Sequence, residues 1–495
     1  MIKEYKINSD QIVIKSDLVA EFPIYIYLDD SKQILLYSEK IKELLDDSRV
    51  LKPLEITNEG ISFLLQSGVV PIPQTIYKNI FIVGVGDTAV IRTMNNKVDI
   101  EFSHEFPFFN KNRNNEADVD ENYIIEMLAE ATISRLKVNT ESYLFHSAGK
   151  DSNMIALSLA EAGHQNKITC ITHQSKGDTD ESEISKNIAS KLGFKHQILY
   201  EPNTLDKKHM DSFEYYFENI PLPCTDDATL AYSLYTSQVE FQNANIIDGS
   251  GNDIYMGHIP SNLEFDRQAK YSFFHRLRPI AGKLSSGSRF DIITKTKTEY
   301  AGMNGISYGD SQHILKDAYN VYGYWKNEDE KRHDWDYFDI RADIWGSLVE
   351  YEKVMRKAKN LANINNINLI FPFTNHKVTE YFSKLPEKYL FNRDEFKNKL
   401  IFRKILRDRI SLDSDKLGKM VYSFDFYSIL MKMKKEVDHE ILSCKLWNKN
   451  GIEKILASLY HKIDSNHKYR LRLTYLVQRL YLISAWYNHN KYVKR

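Results

Sequence analysis

A decapeptide in the first third of the chain, Tyr143-Leu-Phe-His-Ser-Ala-Gly-Lys-Asp-Ser152, joins an apolar run to a helical pattern through three small residues. A strand, a tight loop and a helix N-terminus in this order present backbone N–H groups and the positive end of the helix dipole, which together bind phosphate. Ser147 and Ser152 add hydroxyl donors, and Asp151 offers a hard oxygen ligand for Mg²⁺. Because strand–loop–helix anion sites are common, these residues alone predict only nucleotide binding.

Strands and helices alternate around this loop. We predict strands at 143–146, 168–172, 197–200 and 245–248, and helices at 121–137, 152–162 and 180–192. This alternation favours a parallel sheet covered by helices, with ligands at the carboxyl ends of the strands. The pattern after the last of these strands is mostly helical.

A different pattern precedes residue 115. Short β-type runs, at 22–28 and 80–83 among others, are separated by turn residues and predict an α+β module rich in antiparallel strands. Residues 102–119 are polar and predict a linker. We therefore divide the chain into a domain at 1–115 and a larger domain at 116–495.

The composition is that of a soluble globular protein, with 42% hydrophobic and 27% charged residues among 495. A net charge of −1 gives no field that would recruit nucleic acid or an anionic membrane. The three cysteines, Cys170, Cys224 and Cys444, are widely spaced, which fits a reducing cytoplasm better than a disulfide framework. Without a signal core or a membrane-length apolar run, we expect a cytoplasmic protein whose apolar segment at 480–487 is a buried helix.

The loop Ser147-Ala-Gly-Lys-Asp-Ser152 resembles the S-G-G-x-D-S pyrophosphate loop (PP-loop) of the ATP pyrophosphatases, which include asparagine synthetase. That family cuts ATP between its α- and β-phosphates and adenylates a substrate. The resemblance implies a Rossmann-like sheet of the adenine nucleotide α-hydrolase type, a helical C-terminal part and a preceding α+β domain of degenerate Ntn type. Ala148 replaces the usual glycine, which is tolerable where φ stays negative.

Other stretches extend the resemblance in the family's order. The strand and loop at 245–257, Asn-Ile-Ile-Asp-Gly-Ser-Gly-Asn-Asp-Ile-Tyr-Met-Gly, resemble the second active-site loop, S-G-E-G-x-D-E. Asp180-Glu181 resembles the family's D-E at a helix start, where helix capping remains an equal alternative. The stretch at 371–386 resembles P-F-L-D-x-x-[LV]-[VI]-E-x-x-x-x-L-P, 399–403 resembles K-x-x-x-R, and 415–418 resembles D-K-x-G.

The resemblance implies roles for individual residues. Asp151 and Asp253 would be the Mg²⁺ carboxylates and part of the catalytic set. Lys416 would be the catalytic cation, with Lys419 as the alternative if the alignment slips. The implied ATP-binding residues are Phe145, Ser147, Ala148, Gly149, Lys150, Asp151, Ser152, Ile171, Asp248 and Gly249.

The N-terminal module resembles the back end of the family's glutaminase domain, at 33–45 and in Gly68-Val-Val-Pro-Ile-Pro-Gln-Thr75. Glutamine hydrolysis in that domain uses an N-terminal cysteine, but residue 2 is Ile2 and the nearest cysteine, Cys170, falls in a predicted strand. Without a thiol nucleophile we expect no glutaminase activity here, and we interpret the module as a structural remnant or a surface for a partner protein.

The acceptor half of the second loop departs from asparagine synthetase, with Ser250 and Ile254 where that enzyme has glutamates. Serine cannot act as a carboxylate base, whereas Asp253 is kept. β-Lactam synthetase, carbapenam synthetase and the lasso-peptide cyclases are relatives with such changes. The sequence therefore predicts an ATP- and Mg²⁺-dependent ligase that joins a small-molecule or peptide carboxylate to an amine in a specialised biosynthetic pathway, such as peptide cyclisation, β-lactam-like or polysaccharide-linked synthesis.

Three other functions stay open. Asparagine synthesis with free or partner-supplied ammonia fits the family, and a non-catalytic nucleotide-binding partner fits the altered Ser250 and Ile254. A tRNA-modifying enzyme of the same loop superfamily is disfavoured by the balanced charge, which leaves no basic stripe for nucleic acid.

Overall fold

The computed structural model describes residues 2–7, 9–109, 112–114, 116–174, 180–202, 205–302, 305–417, 424–465 and 467–493. The strands are β1 (Lys3–Tyr5), β2 (Ile12–Lys15), β3 (Ile24–Leu28), β4 (Leu35–Ser38), β5 (Ile80–Val83), β6 (Asp87–Met94), β7 (Lys97–His104), β8 (Ser142–Phe145), β9 (Thr169–Gln174), β10 (Lys195–Tyr200), β11 (Asn245–Ile247), β12 (Asn368–Ile370), β13 (Phe391–Asn392) and β14 (Lys397–Asn398).

The α-helices are α1 (Ile41–Asp46), α2 (Asn58–Gln66), α3 (Glu121–Ile133), α4 (Lys150–Glu161), α5 (Ser182–Lys191), α6 (Lys207–Asn219), α7 (Thr229–Tyr235), α8 (Asp253–Met256), α9 (Asn262–Tyr271), α10 (Arg278–Ala281), α11 (Arg289–Ile293), α12 (Lys297–Gly302), α13 (Tyr308–Ile314), α14 (Tyr322–Lys331), α15 (Tyr337–Asp343), α16 (Met355–Asn365), α17 (His376–Lys384), α18 (Glu387–Leu390), α19 (Leu400–Ile410), α20 (Ser414–Leu417), α21 (Phe426–Lys432), α22 (Lys434–Ser443), α23 (Lys449–Ser465) and α24 (Arg470–His489). A π-helix spans Ile344–Val354, and 3₁₀ turns span Gln165–Lys167, Ser272–Leu277, Pro372–Thr374 and His467–Tyr469.

Two antiparallel sheets form the N-terminal module, with strand orders β1-β4-β3-β5 and β2-β6-β7. Successive side chains of β3 point to opposite faces of its sheet, and this explains how the two sheets pack. Ile26 points into an apolar cluster with Ile14, Ala89 and other residues of the second sheet. Tyr25 and Tyr27, one residue to either side, join the large apolar core instead. Strands at 22–28 and 80–83, as predicted, thus build a two-sheet sandwich.

A five-stranded parallel sheet in the order β10-β9-β8-β11-β12 forms the centre of the larger domain. The four predicted strands are confirmed within two residues of their predicted ends. The chain passes from β8 to β9 and β10 on one side, and β11 and β12 lie on the other. The strand order therefore reverses between β8 and β11, and such a switch point opens a ligand crevice at the carboxyl ends of the strands.

Two sequence predictions need correction. The helix predicted from residue 121 to 137 ends at Ile133, because Arg135 N and Leu136 N bond three residues back and close the last turn. The predicted linker 102–119 begins inside β7, which ends at His104, and Asn110, Lys111 and Asn115 of that segment lie outside the described residues. Arg113, in contrast, is buried and donates to four backbone carbonyls, those of Tyr255, Phe382, Ser383 and Leu385.

The N-terminal module also joins the larger domain through an ionic group in which a partly exposed histidine contacts two buried carboxylates. The ring of His104 lies between two carboxylates, with Nδ1 2.8 Å from Asp87 Oδ1 and Nε2 2.9 Å from Asp343 Oδ1. Arg332 reaches the other oxygen of Asp343 at 2.7 Å. Burial lowers the pKa of His104, but the two carboxylates outweigh it and raise the pKa to about 10.

The C-terminal helix α24 packs in the core, with Leu480, Ile483 and Trp486 each fully buried. Residues 480–487 thus form part of a buried helix, as predicted. In the described part of the chain, no helix is both long and apolar enough to cross a membrane.

Candidate active site

The predicted phosphate loop lies between β8 and α4. β8 ends at Phe145, and α4 begins at Lys150, with Gly149 in an extended conformation as the N-cap residue. The side chain of Asn153 holds the turn by donating to the carbonyl oxygens of Ser147 (2.9 Å) and Gly149 (2.6 Å). The small residues are therefore fixed at the sheet crevice, in front of a helix N-terminus, where an anion is favoured.

Three amide groups of this loop donate to side-chain oxygens. Ser147 N donates to Ser152 Oγ (3.2 Å), and Gly149 N donates to Ser147 Oγ (3.0 Å). Ala148 N donates to the carboxylate oxygen Oε2 of Glu181 at 3.0 Å. Phosphate oxygens, as charged acceptors, compete well with such partners. The loop is thus formed, and its donors are held by acceptors that a phosphate can replace.

Glu181 and Asp180, for which the sequence left capping and binding open, have separate roles. Asp180 Oδ1 accepts from Ser182 N at 2.9 Å and so caps the start of α5. Glu181 is buried, and its carboxylate bonds the phosphate loop instead of its own helix. Ala148 has a negative φ, so the replacement of the family's glycine costs no backbone strain.

The second loop packs directly against the first. A Cβ added to Gly249 would lie 3.3 Å from Ser152 N and 3.5 Å from the carbonyl carbon of Asp151, so only a glycine gives this closeness without displacement. Asp248, for which the resemblance implies a role in ATP binding, accepts from Ser250 N (2.9 Å) and Ser250 Oγ (2.7 Å). Asp248 therefore shapes the loop, while Gly249 brings the two loops together.

One buried lysine joins the two carboxylates that the sequence assigned to Mg²⁺. Lys399 Nζ lies 2.6 Å from Asp151 Oδ2 and 2.7 Å from Asp253 Oδ1. The second oxygen of Asp151 accepts from Asn252 Nδ2 at 2.7 Å. Burial alone would lower the pKa of Lys399, but Asp151 and Asp253 outweigh it and raise that pKa above its usual range. Both carboxylates thus converge on a single cation.

The π-helix carries a further carboxylate into the site. Glu350 is buried, and its Oε1 accepts from Gly251 N at 3.1 Å. Burial and the charge of Asp253 raise the pKa of Glu350 to about 8. Gly346 lets the π-helix approach the second loop, because a Cβ there would lie 2.6 Å from Cβ of Ile254. Helices of this type are rare and occur often at functional sites.

Lys150 adds a second cation at the phosphate loop. It occupies the variable position of the motif, at the first turn of α4, and it is half-buried. Burial and the nearby guanidinium of Arg403 lower the pKa of Lys150 to about 8. A neighbouring anion favours the charged form of such a lysine, which fits the ATP-binding role that the resemblance gave it.

The last residue of β8, Phe145, belongs to a cluster of aromatic side chains. The ring of Phe145 packs on Tyr232 at 5.4 Å and on Tyr235 at 6.1 Å between centroids. Ile171, opposite Phe145 in the neighbouring strand β9, is fully buried, and its carbonyl oxygen accepts from His146 N. Phe145 thus borders the crevice, whereas the side chain of Ile171 supports it from the core.

The predicted catalytic lysine lies apart from this group. Lys416, on α20, has a side chain that is 85% exposed and pairs with Asp413 at 3.4 Å. In the described part of the chain the carboxylates Asp151 and Asp253 contact Lys399 and not Lys416. The alternative, Lys419, lies outside the described residues.

Sequence reasoning assigned no chemistry to Lys399 or Glu350. Lys399 did have a sequence signal, because it begins the K-x-x-x-R stretch. Arg403 of that stretch pairs with Asp415 of the D-K-x-G stretch. Glu350 had none, because it lies in a segment where no motif was recognised. Their place in the site depends on contacts between residues far apart in the sequence.

Asp151 and Asp253 fit a divalent cation, because their oxygens already share one positive charge and Mg²⁺ prefers carboxylate oxygens. Among the described residues no group of three or more His, Cys, Asp and Glu side chains could hold a metal ion. A cation here would therefore need ligands from outside the protein, such as water and phosphate oxygens, as is usual for Mg²⁺ in nucleotide sites.

The geometry agrees with a comparison of the sequence with family models. No curated protein gives a significant match to this chain. The model of the family described as asparagine synthase matches residues 124–478. The match covers more than half of the chain, and both loops, Lys399 and the π-helix lie within it. It supports an ATP-dependent carbon–nitrogen ligase. The chain therefore belongs to the asparagine synthase family.

Proposed function

We propose that this protein is an AMP-forming amide ligase that activates a carboxylate with ATP and transfers the acyl group to an amine in a specialised biosynthetic pathway. The convergence of Asp151 and Asp253 beside the phosphate loop is the observation that supports this most strongly. Two carboxylates beside a phosphate loop suit a nucleotide–metal complex that is held for chemistry.

In the first step the substrate carboxylate attacks the α-phosphorus of ATP, the bond to the bridging oxygen breaks, and pyrophosphate leaves. Mg²⁺, held by Asp151 and Asp253, would supply charge neutralisation of the phosphates. The loop amides and the N-terminus of α4 bind the phosphate oxygens. Lys150 and Lys399 offer fixed positive charge where negative charge accumulates, and fixed charges of this kind lower barriers by roughly 3–4 kcal/mol.

In the second step an amine attacks the acyl carbon, an amide forms and AMP leaves. The amine must lose a proton, and Glu350 is the base that the geometry favours. Its carboxylate is oriented by Gly251 N, and burial together with Asp253 gives it a pKa of about 8, which is suited to accept a proton near neutral pH. A cation that neutralises Asp253 would lower this pKa, because it removes one of the two causes that raise it.

The changed acceptor residues support an amine other than that of asparagine synthesis. Ile254 is buried against Gly346, so its side chain adds no charge to the site. Ser250 donates to Asp248. Next to Asp253, the ring of His258 stacks on Trp345 at 4.2 Å and 14°. An aromatic wall of this kind suits a larger acceptor than ammonia, since flat apolar surfaces bind extended ligands.

The test is exchange of labelled pyrophosphate into ATP, driven by a panel of carboxylic acids and peptides, with Asp253→Asn as the inactive control. Exchange that depends on one acid and on Asp253 is the expected result. Exchange with aspartate, followed by amide formation with ammonia, would instead identify an asparagine synthetase. Tight ATP binding with no exchange for any acid would identify a nucleotide-binding protein and contradict the proposal.

A further inference from the structure

The ammonium of Lys399 stands where a divalent cation would stand. It contacts one oxygen of each carboxylate, at 2.6 Å and 2.7 Å, and its side chain is only 7% exposed. The remaining oxygen of Asp151 is taken by Asn252 Nδ2. A metal ion bound to the same two oxygens would lie close to this ammonium, and the repulsion between the two like charges favours displacement of the ammonium.

The backbone around Lys399 directs its side chain into the site. Lys399 has a φ of +56°, which residues other than glycine rarely adopt. Asn398 Nδ2 donates to the carbonyl oxygen of Gly257 at 3.0 Å, and Arg403 Nε donates to the carbonyl oxygen of Asn398 at 2.8 Å. The turn is thus tied to the end of α8, the helix that begins with Asp253. A left-handed residue held on both sides is a feature of functional sites.

The phosphate loop, where an anion would bind, also has a partner within the chain. Ala148 N, a donor suited to phosphate, bonds the carboxylate of Glu181, which is buried and has a pKa raised chiefly by that burial. The groups suited to bind a metal and a phosphate thus already have partners within the chain, an ammonium on the two carboxylates and a carboxylate on the amide of Ala148.

We propose that Lys399 is a built-in counter-ion that excludes the divalent cation until a nucleotide arrives. The inference rests on the proposed function, since it concerns the metal that ATP brings. The phosphates of ATP supply both the missing metal ligands and a new acceptor for the Lys399 ammonium. Metal and nucleotide then bind together, and neither carboxylate is left unpaired at any stage. A lysine that occupies the carboxylates about 99% of the time weakens binding of the metal alone by about 100-fold.

The test measures Mn²⁺ binding by the electron paramagnetic resonance of the free ion, without any turnover. Wild type is compared with Lys399→Met and with Lys404→Met, which removes an exposed lysine of the same helix that pairs with Glu121 and Asp408. Each is measured alone and with α,β-methylene-ATP, which cannot be cleaved between those phosphates. We expect wild type and Lys404→Met to bind Mn²⁺ tightly only with the analogue, and Lys399→Met to bind it about 100-fold more tightly than wild type without the analogue.

Equal Mn²⁺ affinity of wild type and Lys399→Met without nucleotide would overturn the inference. If wild type then still binds Mn²⁺ with the analogue, the metal assignment of the proposed function stands and only the role of Lys399 fails. If no variant binds Mn²⁺ with the analogue, the nucleotide–metal site itself fails. If Lys399→Met does not fold, Lys399→Gln, which keeps a polar group between the carboxylates, replaces it in the comparison. We expect Mn²⁺ without nucleotide to raise the unfolding temperature of Lys399→Gln but not that of wild type.

Discussion

The contact of His104 with Asp87 and Asp343 predicts how stability changes with pH. The pKa of His104 is about 10 in the folded protein and about 6.5 in an unfolded chain. Because the folded value is the higher one, the stabilisation is complete below pH 6.5 and is lost as the pH rises towards 10. The two values set upper limits of about 4 kcal/mol at pH 7 and about 1.5 kcal/mol at pH 9, and screening by solvent reduces both because the ring of His104 is partly exposed.

Urea unfolding at pH 7 and pH 9 measures this difference directly. At each pH, the free energy of unfolding of His104→Gln is subtracted from that of wild type. We expect this difference to be about 2 kcal/mol larger at pH 7 than at pH 9. His333→Gln, which replaces an exposed histidine, should track wild type at both values. If His104→Gln does not fold, Asp87→Asn should show a smaller effect of the same sign. A difference between wild type and variant that stays constant or grows with pH would show that His104 is not stabilised by its two carboxylates.

Three further predictions concern the site. Asp253→Asn removes a carboxylate of the proposed metal site and should lower pyrophosphate release at least about 100-fold, measured on protein whose circular dichroism shows that it is folded. Glu350→Gln should lower amide formation by about 10²–10⁴-fold and abolish the rise in rate between pH 6 and pH 8 that ionisation of Glu350 gives to wild type, with pyrophosphate exchange less affected. Gly346→Ala forces a Cβ against Ile254 and should cost about 1–3 kcal/mol in urea unfolding, whereas Gly323→Ala, where no atom lies within 4 Å, should be neutral or stabilising by up to about 1 kcal/mol. Equal stabilities of the two glycine variants would contradict the packing of the π-helix on α8.

The phosphate loop and the strands around it follow from local sequence. The chain has an apolar run of strand length, then small residues at a turn, then a helical pattern. Because these signals are adjacent in sequence, they predict the strand–loop–helix geometry directly. The same holds for the second loop, where Gly249 and Gly251 mark the close approach of two backbones.

The rest of the site depends on distant contacts. Lys399 is 248 residues away from Asp151 in sequence, and only folding makes the lysine a partner of that carboxylate. Glu350 lies on a π-helix, whose turn is wider than the 3.6-residue period by which helices are recognised. The three-residue strand β12 is too short for its pattern to be distinguished from a loop.

Polar composition did not predict the burial of Arg113 in the segment before α3. Residues 102–119 resemble a linker by composition, but the guanidinium of Arg113 satisfies four buried carbonyls. A charged residue in a polar stretch gives no sign of such burial, because its partners are backbone groups from other parts of the chain.

The most direct test of the account is the identity of the nucleotide product. Purified protein with ATP and Mg²⁺ would be incubated with the acid and amine panel, and AMP and ADP would be separated by chromatography, with Asp151→Asn as the control. We expect AMP and pyrophosphate in equal amounts, formed only with a particular acid and lost in Asp151→Asn. Formation of ADP and phosphate, or AMP formation that persists in Asp151→Asn, would contradict it.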